Sequence, residues 1–245
     1  MEGWLISMRK YLLSVLLVLW TASAWAFPPV FIGAITQGLT EAPAYLFSEN
    51  FDATGSQLSW TITGTAYTLD GTPGLNSTTQ KAVLDGITQV GAVKISYDLG
   101  QEYTELWVKA IVRQTSATEA FVLFMQLTND AATTLSKITW YGDPTPLRVH
   151  YGGTEYDGGI INPTLNTEYC VYLHFKIQTA GGNDGVSEFY IDDTAPYTRP
   201  ASPDGGLSNG NLLTAGDGAR YLNFYADADT TIEVDEIYGS TSPID

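Results

Sequence analysis

An all-β fold, a two-sheet antiparallel sandwich of jelly-roll type, is what this sequence predicts, and three observations carry the prediction. Short β-branched or aromatic runs with period-two alternation recur along the chain, each closed by Gly, Pro, Asn or Asp. Roughly ten to thirteen such runs follow one another at regular spacing, the pattern of sandwiches and barrels. Beyond residue 26 no stretch shows helical periodicity.

Taken in order, the chain opens with a targeting segment over residues 1–26. Arg9-Lys10 is the positive region, Tyr11 to Trp20 the apolar core, and Ala24-Trp25-Ala26 the cleavage signal. That core falls short of the about 20 residues a membrane helix needs, so the signal-peptide reading places the protein outside the cell or on its surface. Cleavage leaves 219 of the 245 residues, from Phe27 to Asp245, a length that suits one sandwich domain. Losing Glu2, Arg9 and Lys10 moves the formal charge from −16 to −17. Such a surface repels nucleic-acid phosphates and anionic lipid headgroups, which excludes both as expected partners. The single cysteine, Cys170, rules out an internal disulfide and reads as a small buried hydrophobe.

Residues 27–45 form an arm. Its apolar stretch Phe27 to Ile35 is either a strand tied onto the sandwich or a donor strand for a neighbouring subunit. The domain proper covers 46–245. Its centre is the run from Leu106 to Tyr151, four alternating segments read as one antiparallel meander. Tyr169 to Gln178 and Ser187 to Asp192 form a hairpin around Gly181-Gly182-Asn183-Asp184-Gly185. Tyr221 to Tyr225 and Thr231 to Tyr238 close the chain.

Several of these strands resemble concanavalin A-like, laminin-G-like jelly rolls. Phe47-Ser48-Glu49-Asn50-Phe51-Asp52 with Trp60 is similar to the first strand of that superfamily, and Leu106-Trp107-Val108-Lys109 to a central one. Leu173-His174-Phe175-Lys176 with Phe189-Tyr190-Ile191-Asp192, and the closing Ile232 to Tyr238, look like later strands. Two departures stand out: Asp193 where Gly is usual, and Asp235-Glu236 where the family has a terminal Asp-Asp pair. The resemblance implies a fold that hosts lectins, glycan hydrolases, lyases and structural modules. It further implies glycan binding on the concave sheet and a structural calcium at the sandwich edge.

No catalytic set is complete, which weighs against an enzyme. Glucanases of this fold align carboxylates two residues apart on one strand face. In Glu233-Val234-Asp235-Glu236 the last acid falls out of step and is expected on the opposite face. The His and Lys of Arg148-Val149-His150 and Tyr172-Leu173-His174-Phe175-Lys176 only echo an alginate-type lyase.

A cationic, aromatic-bearing face is the more specific signal. Trp107, Lys109 and Arg113 share one side of their strand, Lys137 and Tyr141 one side of another, and Arg148 and His150 one side of a third. On one concave sheet these seven would bind a polysaccharide, including an acidic one, through stacking and charge-assisted hydrogen bonds; a solvated polar face is the alternative. If the first and last strands pair, as the resemblance implies, Glu49, Asp52 and Asp235 meet and supply oxygen ligands for Ca2+; simple solvation is again the alternative. The leading expectation is a secreted, non-catalytic carbohydrate-binding module. An assembly subunit using the arm comes second, and a polysaccharide-degrading enzyme third.

Overall fold

A computed structural model describes residues 44–51, 58–71, 74–87, 92–117, 122–140, 148–151, 154–157, 164–210, 218–228 and 230–245. The signal, nearly all of the arm including Phe27 to Ile35, Asp52 and Tyr141 lie outside them. The described chain is almost wholly strand: β1 (Phe47–Glu49), β2 (Thr61–Thr63), β3 (Tyr67–Asp70), β4 (Lys81–Asp85), β5 (Val93–Tyr103), β6 (Glu105–Ala117), β7 (Val122–Thr128) and β8 (Thr134–Trp140). There follow β9 (Arg148–Tyr151), β10 (Thr154–Asp157), β11 (Glu168–Lys176), β12 (Gly185–Asp192), β13 (Gly205–Gly210), β14 (Ala219–Ala226) and β15 (Thr230–Ser240). One 3-10 turn, Leu75–Ser77, lies between β3 and β4.

Two antiparallel sheets result. The first runs β13-β12-β11-β6-β15-β4-β3, with β1 added on β15; the second runs β10-β9-β8-β7-β14-β5-β2. This is the jelly-roll sandwich that the strand count and spacing predict. Of the four strands expected in one meander, only three belong to it, and β10 continues the run after them. β7, β8 and β9 pair in sequence, whereas β6 lies in the other sheet between β11 and β15. The cause is local: only Thr104 separates β5 in the second sheet from β6 in the first, so the chain changes sheets within one residue.

Alternation decides what each sheet buries. In β6, Leu106, Val108, Ala110 and Val112 face the partner sheet, as do Val171, Leu173 and Phe175 of β11. They meet Ile95 of β5, Met125 and Leu127 of β7, and Leu222 and Phe224 of β14. Full burial of such side chains is worth about 1.5–3 kcal/mol each, which holds the two sheets together without a disulfide. Cys170 is a buried free thiol, and burial pushes its pKa up to about 11.

A second apolar cluster covers the outer side of the first sheet. Trp107 and Ile111 of β6, Cys170 and Tyr172 of β11, and Tyr190 of β12 pack there with Leu75 and Ile244. Leu75 comes from the 3-10 turn and Ile244 from the C-terminal tail, and both are fully buried. Arg199 fastens the tail: its Nε donates to the Ile244 carbonyl at 3.2 Å, and its guanidinium lies 5.1 Å from the Trp107 ring.

Candidate functional site

The six described residues of the seven expected on one face are not brought together. Trp107, Lys109 and Arg113 are on the outer side of the first sheet, while Lys137, Arg148 and His150 occupy strands of the second. The first three are already engaged. Trp107 is 6% exposed and stacks on His174, with ring centroids 3.8 Å apart and planes 10° off parallel. Lys109 lies 5.4 Å from the Tyr172 ring centroid and 5.9 Å from that of Tyr238. Arg113 donates from Nε to Glu233 at 2.5 Å and from Nη1 to Glu168 at 3.1 Å, while Lys81 pairs with Glu233 at 3.3 Å. These contacts make the outer side of the first sheet a packed layer, which a one-strand face reading could not distinguish from a binding surface.

The second sheet presents a different arrangement. Its pairings put Glu155, His150, Lys137, Gln126, Asn223, Ser96 and Thr61 directly opposite one another, in that order, across all seven strands. Every member of this row is polar. At about 4.8 Å per strand spacing it spans about 29 Å. The flanking positions Leu127, Leu222 and Ile95 point into the core, so Gln126, Asn223 and Ser96 point away from it. Yet Gln126 is 7% and Asn223 only 2% exposed, and Thr128 and Thr139 beside them are buried too. Polar side chains on the face away from the core, yet little exposed, define a recessed strip.

The strip is held by its own hydrogen bonds. Gln126 Nε2 donates to Thr134 Oγ1, and Asn223 Nδ2 donates to Thr128 Oγ1 at 3.4 Å. Among the described residues neither amide oxygen accepts a hydrogen bond, so each keeps an acceptor for a hydroxyl. The next row on the same side runs Tyr225, Lys94, Thr63, with Lys94 Nζ 5.7 Å from the Tyr225 ring centroid. On the other flank Tyr221 stands opposite Thr128 and Asp98. Arg220 Nε lies 2.6 Å from Asp98 Oδ1, and this pairing holds the Asp98 carboxyl below the usual carboxylate range. Reading charges and aromatics alone finds Lys137, Arg148 and His150 but misses Gln126, Thr139 and Asn223. The available signal was a lone amide inside each apolar run, Phe124-Met125-Gln126-Leu127 and Leu222-Asn223-Phe224.

Of the three residues expected to meet around calcium, the two described ones, Glu49 and Asp235, are not brought together. β1 does pair with β15, with Glu49 opposite Ile237. Glu49 faces the core, where its carboxylate accepts from the amides of Phe51 (3.0 Å) and Leu58 (2.9 Å) and from Trp60 Nε1 (3.2 Å). Asp235 projects from the opposite side. There it accepts from the amides of Leu75 (3.2 Å) and Glu236 (2.8 Å) and from Thr78 Oγ1. One ion cannot bridge carboxylates on opposite faces of a sheet, so Glu49 and Asp235 do not fit a shared calcium. Among the described residues no group of three or more His, Cys, Asp or Glu side chains is placed to hold a metal.

The acidic run on β15 also differs from expectation. A bulge between Asp235 and Tyr238, with Glu236 at φ 45°, turns Glu236 toward the same 3-10 turn, where it accepts from Asn76 Nδ2 at 3.0 Å. Its partners are structural, like those of Glu233.

No protein-family model and no curated protein matches this sequence. Solved structures do. The cellulose induced protein Cip1 is 16% identical, with a TM-score of 0.56 over 81% of this chain and 98% of its own. The marine PL-14 alginate lyase from Aplysia kurodai is 10% identical, with a TM-score of 0.58 over 81% of this chain and 100% of its own. The exoplasmic/lumenal domain of VIP36, in a Ca2+/Man2-bound form, is 10% identical, with a TM-score of 0.53 over 82% of this chain and 89% of its own. At these identities the likeness shows the fold alone.

Proposed function

We propose that this concanavalin A-like jelly roll is an exported polysaccharide-binding module whose ligand lies along the recessed strip of the second sheet. The observation that carries the reading is the unbroken polar row from Glu155 to Thr61, set in a face where Gln126 and Asn223 are nearly buried. A strip about 29 Å long suits an oligosaccharide better than a single sugar. Amides and threonine hydroxyls offer both donors and acceptors to sugar hydroxyls, and Tyr221 and Tyr225 add aromatic surface. Lys137, Arg148 and Lys94 place three cations along the strip against Glu155 and Asp157, which stand opposite His150 and Arg148, so the strip carries a small positive excess in an acidic protein, which favours a polysaccharide bearing carboxylates. The neighbours support the class: they include alginate lyases, one in complex with an alginate trisaccharide, and the exoplasmic/lumenal domain of VIP36 in a Ca2+/Man-bound form.

The test is affinity electrophoresis through gels containing alginate, mannan or cellulose derivatives. The protein is expected to be retarded by at least one, most by alginate. N223A and K137A should each weaken retardation about tenfold, the effect of about 1.4 kcal/mol. A wild-type protein that no glycan retards, or variants that bind as well as it does, would overturn the reading.

A second reading, lytic cleavage, is favoured by one feature: His150 and Lys137 occupy directly opposed positions. Histidine is a residue type that can take up a proton in such a reaction, and the register sets a lysine opposite it. Ultraviolet absorbance from unsaturated products would identify it, and N223A would then lower turnover as well as binding.

A further inference from the structure

Residues 241–245 form a strap across the outer side of the first sheet. Pro243 fixes its own φ and keeps Ser242 extended, so the segment is stiff before it docks. Thr241, Ser242, Pro243 and Asp245 are exposed, and Ile244 alone is buried, completely. Its side chain joins the cluster of Trp107, Tyr172 and Tyr190. Pairing of β15 with β6 ends at Ser240, and among the described residues no backbone–backbone hydrogen bond ties 241–245 to the sandwich.

Two cations flank the strap. Arg199 Nε donates to the Ile244 carbonyl at 3.2 Å, and its Nη2 lies 3.5 Å from Asp245 Oδ1. Lys109 Nζ lies 3.5 Å from the main-chain oxygen of Asp245. Aromatic faces place both cations independently of the strap. Arg199 lies over the rings of Trp107 (5.1 Å) and Tyr190 (5.2 Å), and Lys109 over those of Tyr172 (5.4 Å) and Tyr238 (5.9 Å). Among the described residues no carboxylate of the sandwich itself pairs with either cation, although acidic residues outnumber basic ones 27 to 11. The cleft is therefore an apolar pocket beside two cations whose acidic neighbour comes from the strap. Burying one isoleucine corresponds to on the order of 10- to 100-fold in the ratio of docked to undocked strap. The sheets share a whole core, so the strap can open by local unfolding while the sandwich stays closed.

We propose that the strap is displaceable, and that the cleft beneath it binds an extended peptide presenting a branched apolar side chain followed by an acidic residue. The strap is the built-in competitor of that peptide. The Ile244 position marks the apolar pocket, Arg199 donates to the carbonyl of the residue seated there, and Arg199 and Lys109 flank the acid that follows. A tethered segment acts at an effective concentration in the millimolar range, so a free peptide enters only when the strap is loosened. The site shares no residue with the polar strip and stands whether or not that strip binds a polysaccharide.

The experiment is an NMR titration of the 15N-labelled protein, wild type and I244A, with an acetylated peptide of the sequence Thr241 to Asp245. I244A is expected to shift the Trp107 indole and Arg199 Nε–H signals while the backbone amides of Gln126 and Asn223, in the second sheet, stay in place. The peptide should then return those two signals toward their wild-type positions in a saturable way. Wild type should need at least about tenfold more peptide for any response. Versions of the peptide with Ile244→Ala or Asp245→Lys should have no effect. If I244A does not fold, D245K, at an exposed position, loosens the strap from its cations and supplies the same readout. A peptide without effect on the loosened variant, equal responses in variant and wild type, or equal binding of the altered peptides would each overturn the proposal.

Discussion

At the scale of single residues, the carboxylates of this chain divide by what surrounds them. Glu233 sits between Lys81 and Arg113, and Glu49 accepts two backbone amides and an indole N–H. Asp235 is the exception. It is fully buried, and burial pushes its pKa up to about 7 despite hydrogen bonds from Thr78, Glu236 and Leu75; the charge of Glu236 adds to the rise. In the unfolded chain an aspartate titrates near about 3.9, so between that value and about 7 the native state holds a proton the unfolded state has lost. The sign follows: this residue favours folding below about pH 4, and its contribution shrinks as pH rises toward 7. The loss is bounded at on the order of 4 kcal/mol well above pH 7. D235N cannot titrate. It should be less stable than wild type at pH 4, because its amide nitrogen faces the Leu75 donor, and the gap should narrow steadily toward pH 7. Urea midpoints across that range decide the matter. A constant gap would mean that Asp235 titrates normally.

At the scale of elements, β1 shows how little holds an edge segment in place. It is three residues long and, among the described residues, pairs only with β15. Phe47 bridges the sandwich to Tyr97 of the second sheet, with ring centroids 5.2 Å apart, and lies across Gly239. A methyl group on Gly239 would overlap the Phe47 ring. G239A is therefore expected to push β1 off β15 at a cost of about 1–3 kcal/mol, the range for overpacking. The amides of residues 46–49 should lose hydrogen-exchange protection while those of β11 keep theirs. Equal protection in both proteins would show that the ring has room to move. Why β1 belongs where it does was legible from the run Phe47 to Phe51, as were the alternation of β6 and the β11–β12 hairpin. Sheet membership was not. Period two tells which residues share a face of a strand, but the side of the sandwich is set by partners more than a hundred residues away, as with Arg113 and Glu233. The single residue Thr104 between β5 and β6 carries no signal that the chain is changing sheets. The polar strip was half legible for the same reason. Lys137 and His150 stand out by charge, whereas Gln126 and Asn223 acquire meaning only once seven strands are in register.

At the scale of the whole molecule, two electrostatic effects oppose each other when an anionic polysaccharide approaches. The formal charge of −16 repels it at long range, and on the proposed reading the small positive excess of the strip, Lys137, Lys94 and Arg148 against Glu155 and Asp157, attracts it at contact. Which wins depends on distance relative to screening. At about 0.15 M salt the Debye length is about 8 Å, so charges across the sandwich, whose sheets alone are about 10 Å apart, are largely screened. Groups touching the ligand are not. Under those conditions the strip should dominate, and affinity for alginate should fall as salt rises from about 0.15 M to about 0.5 M. A neutral glycan such as mannan should respond little. The fold itself should behave in the opposite way, since relief of self-repulsion in so acidic a chain raises its melting temperature over the same salt range. Measuring both in one salt series separates the two effects: weaker alginate binding together with higher thermal stability is the expected pair. Alginate binding that strengthens with salt would mean that the net charge outweighs the strip, and the preference for a carboxylate-bearing polysaccharide would fall.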